Sequence, residues 1–124
     1  MHTTLLVASI SGFLAVLLGA FGAHALETRI HVDLLATWNT SVHYHMFHTA
    51  ALIGLALLQS EHPAQRGLKL SLRLFVAGLM LFCGSLYVLA LTGVRWLGMI
   101  TPIGGVLFLA AWFQMALVCY RLRA

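Results

Sequence analysis

Long apolar runs separated by short charged clusters organise this chain. Met1 to Leu26 holds no Asp, Glu, Lys or Arg before Glu27, and Leu34 to Ser60 lies between Asp33 and Glu61. Leu74 to Val94 lies between Arg73 and Arg95, and Trp96 to Tyr120 precedes Arg121. Each run reaches the roughly 20 residues that cross a ~30 Å hydrocarbon layer at 1.5 Å per residue. The pattern predicts spans over residues 5–26, 38–58, 72–92 and 98–120 of a single domain, 1–124. The expected fold is all-α, an integral membrane four-helix bundle.

Composition strengthens the reading. A soluble domain carries about a quarter charged residues, whereas this chain has 8% charged and 61% hydrophobic residues. Such a chain cannot cover a core with a water-compatible surface. The first run could be read as a signal peptide, since Ala23-His24-Ala25 resembles a small-x-small cleavage site. Met1-His2-Thr3-Thr4 lacks a basic n-region, however, and the apolar run is longer than an h-region, so a retained span is expected.

The formal charge of +4 does not form a basic patch with interleaved aromatics, so nucleic acid is not an expected partner. Arg66, Lys69 and Arg73 cluster around the second connection, and Arg121 and Arg123 follow the fourth span. The first and third connections hold only Arg29 and Arg95. The positive-inside rule then places the N- and C-termini in the cytoplasm. Between spans one and two, Ile30, Leu34, Leu35 and Trp38 recur at helical spacing among charged residues. They predict a short amphipathic interfacial segment with Trp38 at headgroup level. Cys83 and Cys119 sit in different spans without a Cys-x-x-Cys pattern, and no disulfide is expected.

Small residues mark the faces where helices approach closely. Ser11, Ala15, Gly19 and Ala23 recur every four residues on the first span, with Gly22 beside them. Gly84, Gly104 and Gly105 are read in the same way. No Lys-Ser/Thr follows any of these glycines, which excludes a phosphate loop. Ser85 lies outside a Gly-x-Ser-x-Gly elbow, and the acidic residues lie in connections, so no catalytic set is expected.

The candidate chemistry is histidine. Ionisable groups inside a bilayer are costly and usually face a bundle interior. In four alternating spans, His24, His43, His45, His48, Ser85, Tyr87 and Thr101 share the outer half. At about 100° per residue, His45 and His48 lie roughly 60° apart on one helix face, with His43 directed elsewhere. Three uses are open. The imidazoles can bond helices together. They can bind a metal or haem, since neutral imidazole suits copper, zinc or iron, with His24, His48 and His45 as ligands. They can also line a small-solute or proton path in an oligomer. No carboxylate is placed to orient the rings, so no cofactor is expected and bonding is preferred.

Four motifs occur in order: Ser11-Gly12-Phe13 with Leu18 to His24; Tyr44 to His48 followed by Ala51 to Leu55; Leu81 to Tyr87; and Ile100 to Gly105. Together they resemble the domain of unknown function 423 family of small inner-membrane proteins. The resemblance implies a four-span protein of the cytoplasmic (inner) membrane, without an established activity. Its pattern matches at Gly19, Gly22, His24, Phe47, His48, Gly84, Ser85, Tyr87, Thr101, Pro102, Gly104 and Gly105. It departs at His45, where Gln is usual in resembling sequences, and at His43. It thus implies a pairing of His24 with His48. The expected partners are the lipid bilayer and a membrane-protein complex or a second copy.

Overall fold

The computed structural model describes residues 1–123, and every regular element among them is helical. Helix α1 (His2–Phe21) runs through a wide π turn (Gly22–Leu26) to form one rod. Helix α2 (Val32–Glu61) begins after His31, whose Nδ1 accepts the Asp33 N–H at 3.3 Å. A third rod combines α3 (Arg66–Gly78), a second π turn (Leu79–Cys83) and α4 (Gly84–Thr92). Gly93 ends it at φ 70°, a left-handed conformation that glycine adopts without strain. A 3₁₀ turn (Arg95–Met99) then leads into α5 (Thr101–Leu122), whose Pro102 sits in the first turn, where no N–H is needed.

Helix α2 is central: α1 packs along one side of it, the third rod along the other, and α5 packs mainly on α3. Three rods are long and apolar enough to cross a membrane, namely His2–Leu26, Arg66–Thr92 and Arg95–Leu122. Helix α2 has the length, but its stretch from residue 37 to 49 carries Thr37, Asn39, Thr40, Ser41, His43, His45, His48 and Thr49.

The exterior is apolar and the interior partly polar. Phe13, Val16, Met80, Leu109 and Phe113 are exposed, while Thr4, Ser11, Ser41, His45, His48, Thr49, Ser71 and Ser85 are buried. That inversion suits hydrocarbon surroundings, where polar side chains must find partners inside the protein. Among the described residues, no buried side-chain nitrogen or oxygen lacks one.

Two expectations change here. The segment before residue 38 does not form a separate interfacial helix; its later part is the start of α2. Trp38 is buried rather than positioned as an outer anchor, with 1% exposure. Its indole N–H donates to the Leu18 carbonyl at 2.9 Å. Its ring covers Gly22 so closely that a Cβ there would lie 2.5 Å from Nε1.

The small-residue ridge also differs. Thr4, Ala8, Ser11 and Ala15 are buried on α1, and Gly22 and Leu26 continue the line, whereas Ala23 is exposed. A strict four-residue repeat drifts by about 40° per step on a 3.6-residue helix. Alternating steps of three and four hold the seam, as in coiled coils. Of the other packing glycines, Gly104 meets the Phe82 main chain, Gly105 is only in ordinary contact with that ring, and Gly84 faces open space.

Candidate functional site

Helices α1 and α2 run antiparallel, and their register decides which polar groups meet. Gly12 faces Thr49, Gly19 faces Val42, and Gly22 faces Trp38. His48 therefore lies level with residue 12 or 13 of α1, roughly 17 Å along the axis from His24 at 1.5 Å per residue. His24 itself is exposed in the π turn. The expected His24–His48 pair does not form. The misplacement traces to the start of α2 at Val32, several residues before the expected span, which sets His48 near the middle of its helix. His43 is exposed.

Two separate histidine sites result. His45, 8% exposed, joins three helices. Its Nδ1 lies 2.9 Å from the Tyr87 hydroxyl and its Nε2 lies 3.1 Å from Ser11 Oγ. Ser11 Oγ lies 2.6 Å from Thr49 Oγ1, which donates to the His45 carbonyl at 2.8 Å. Counting protons assigns every bond. Thr49 donates its one proton to the carbonyl, so Ser11 must donate to Thr49. Ser11 then accepts from His45 Nε2–H, which leaves Nδ1 to accept from Tyr87. In the neutral imidazole the proton of His45 thus sits on Nε2.

His48 has the other tautomer. Its Nδ1 lies 2.8 Å from the Tyr44 carbonyl, which can only accept, so Nδ1 carries the proton. Its Nε2 accepts the Trp112 indole N–H at 3.2 Å. The ring stacks on Phe108 at a centroid distance of 3.7 Å and 11° between planes. Phe47 meets it edge-on at 5.2 Å, and Phe75 lies at 5.9 Å. His48 therefore joins α2 to α5 inside an aromatic box.

The remaining polar residues form two further interhelical contacts. Ser85 donates to the Phe82 carbonyl at 3.0 Å and lies 2.7 Å from Thr101 Oγ1, so Thr101 donates to Ser85 and ties α5 to α4. Ser41 donates to the Cys83 carbonyl at 2.9 Å, at the end of the second π turn, and the Cys83 thiol lies 3.5 Å from the Ser41 carbonyl. Both cysteines are free.

The seven-residue outer layer expected from topology is thus divided. Tyr87 comes to His45, Thr101 comes to Ser85, His48 goes to Trp112, and His24 stands apart. Sequence reasoning missed Trp112, Thr49, Ser41 and the Thr4–Gln59 bond of 2.6 Å. For Thr49 the signal was present, since Ser11 lies opposite it once α2 begins at Val32. Among the described residues no three His, Cys, Asp or Glu side chains converge as a metal-binding group would require.

Residues 18–105 match the family model described as "Protein of unknown function (DUF423)". The chain is 39% identical over 121 residues to the UPF0382 membrane protein YwdK of Bacillus subtilis, covering 98% of each chain. It is 41% identical over 123 residues to the UPF0382 inner membrane protein YgdD of Escherichia coli K12, covering 96% of this chain and 90% of that one. A UPF0382 membrane protein of Haemophilus influenzae is 38% identical, with 97% and 95% covered. No solved structure matches the chain. The chain belongs to the DUF423 family and is an inner-membrane protein embedded in the lipid bilayer.

Proposed function

We propose that the chain forms a four-span bundle with both termini in the cytoplasm and works as a non-catalytic accessory or assembly component of a larger membrane complex. One observation carries the reading: both ring nitrogens of His45 and of His48 are engaged in bonds between or within helices. No base, nucleophile or ligand lone pair is left free on either ring. This supports interhelical bonding over a copper, zinc or haem site and over a proton path. The central place of α2, with Ser41, His45, His48 and Thr49 turned toward α1, the third rod and α5, supports counting it as a fourth span. An even number of spans puts both termini on one side. The basic residues Arg66, Lys69, Arg73, Arg121 and Arg123 favour that side as the cytoplasm.

The partner face is drawn from packing. Helix α1 leans on α2 and leaves Leu6, Phe13, Val16 and Leu17 exposed. Photo-crosslinkers at Phe13 and Val16, compared with Leu109 on α5, test this in native membranes. A reproducible protein adduct at the α1 positions is expected, and its mass distinguishes a second copy from a larger complex. Lipid adducts alone at every position would refute the accessory role.

A further inference from the structure

We infer that the end of the molecule where α1 begins, α2 ends and α3 begins holds a binding site for a phosphate-bearing anion, presented either by a phospholipid headgroup or by a soluble phosphate ester. This inference is independent of the accessory role. A cavity of about 490 Å³ opens there, within the range of small-molecule sites. Thr3, Gln59, Ser60, Gln65, Lys69 and Arg73 are among its lining residues, and none of the lining residues is acidic.

The chemistry of the lining selects the ligand class. Lys69 and Arg73 stand four residues apart on α3 and so share one helix face, where two like charges repel unless an anion lies between them. Among the described residues, the sole contact between a basic and an acidic side chain within ion-pair distance is His31 with Asp33, at 3.5 Å in another part of the molecule. Both cations are therefore without a carboxylate partner. An arginine fork and a lysine ammonium bind phosphate oxygens in complementary ways, and Thr3 and the glutamine amides offer neutral donors beside them.

The cavity is built rather than incidental. Thr4 is 1% exposed, and its hydroxyl donates to Gln59 Oε1 at 2.6 Å. Gln59 Nε2 reaches the Leu68 carbonyl at 3.5 Å, so a single glutamine braces α1, α2 and α3 around the cavity. Depth fits a headgroup as well. Arg73 is the last charged residue before the apolar stretch from Leu74 to Val94, which sets the cavity at the boundary of the hydrocarbon. Basic pockets between membrane helices in that position receive anionic headgroups.

The test is native mass spectrometry of the whole protein in mild detergent, with three probes at equal concentration: dioleoylphosphatidylglycerol, dioleoylphosphatidylcholine and glycerol 1-phosphate. Lys69→Gln with Arg73→Gln is compared with Arg121→Gln with Arg123→Gln, which removes the same charge elsewhere. All four side chains are exposed, so both variants should keep the fold. Ser60→Glu, a third variant, places a carboxylate at the rim. Phosphatidylglycerol should be retained over phosphatidylcholine, and the Lys69/Arg73 variant should lose about thirtyfold in retention. Ser60→Glu should also weaken it, and the Arg121/Arg123 variant should not. The same selective loss with glycerol 1-phosphate would support a soluble source. Equal loss in the two charge variants, or no preference for phosphatidylglycerol and no glycerol 1-phosphate binding, would overturn the site.

Discussion

Replacing Gly104 by alanine adds one methyl group where α5 crosses the third rod, and that methyl has no room. An added Cβ would lie 2.4 Å from the Phe82 nitrogen and 2.7 Å from its Cα. The obstacle is main chain in a π turn, so no rotamer change relieves it. The rods must separate by roughly 1 Å to reach ordinary contact, and overpacking of this kind costs about 1–3 kcal/mol. The separation also pulls Thr101 from Ser85, a bond of 2.7 Å across the same contact. Interhelical bonds in membranes contribute about 0.6 kcal/mol on average. Gly84→Ala is the matched control, because its added Cβ would meet nothing within 4 Å. Helices persist in membrane-unfolded states, so helix propensity adds little, and Gly84→Ala should fall within about 0.5 kcal/mol of wild type. Steric trapping in bicelles measures both variants reversibly. Equal stability of the two, or a larger loss for Gly84→Ala, would refute the placement of α5 against the π turn.

Four further outcomes follow from the same contacts. Tyr87→Phe leaves His45 Nδ1 without a donor and should cost about 0.6 kcal/mol, up to about 1.7; no change on unfolding would argue against that bond. His45→Gln should stay within about 0.5 kcal/mol of wild type, because the amide oxygen can accept from Tyr87 while its NH₂ donates to Ser11. His45→Leu, which can do neither, should be worse, and the reverse ranking would contradict the proton count. Gly22→Leu should expel the Trp38 indole from its contact with α1, seen as a red shift of tryptophan emission in a Trp96→Phe/Trp112→Phe background; unchanged emission would count against the seam. Reporter fusions at Arg123 should be active in the cytoplasm and those at Arg95 outside it, and the opposite result would invert the proposed orientation.

Much of the architecture was legible from where charges interrupt apolar runs, since charge is what a bilayer excludes. The boundaries near Leu26, Thr92 and Tyr120 fall within a few residues of the observed rods. Helix α2 was harder. Its first turns carry charge and polar groups, and Trp38 has the composition of an interfacial anchor, yet the residue is buried against a glycine of α1. Placing the start of α2 late moved its histidines too far outward and joined His48 to His24. The partition of His45 from His43 required only the helical period, so it was readable. The partners of His48 were not, because Trp112 and Phe108 lie more than fifty residues away and the register of α5 depends on the close approach at Gly104. The resemblance that gave His45 a usual Gln now has a physical counterpart: an imidazole protonated at Nε2 presents its acceptor and donor in the same order as a carboxamide, and a carboxamide cannot titrate.

The central claim is that the two buried histidines are neutral bonding posts of opposite tautomer. Solid-state ¹⁵N spectroscopy of histidine-labelled protein in bilayers, assigned through His45→Gln and His48→Gln, tests it directly. Protonated Nε2 at His45 and protonated Nδ1 at His48 are predicted, both unaltered by added zinc, added copper or chelator. An imidazolium, a metal-shifted nitrogen or a shared tautomer at the two positions would contradict it.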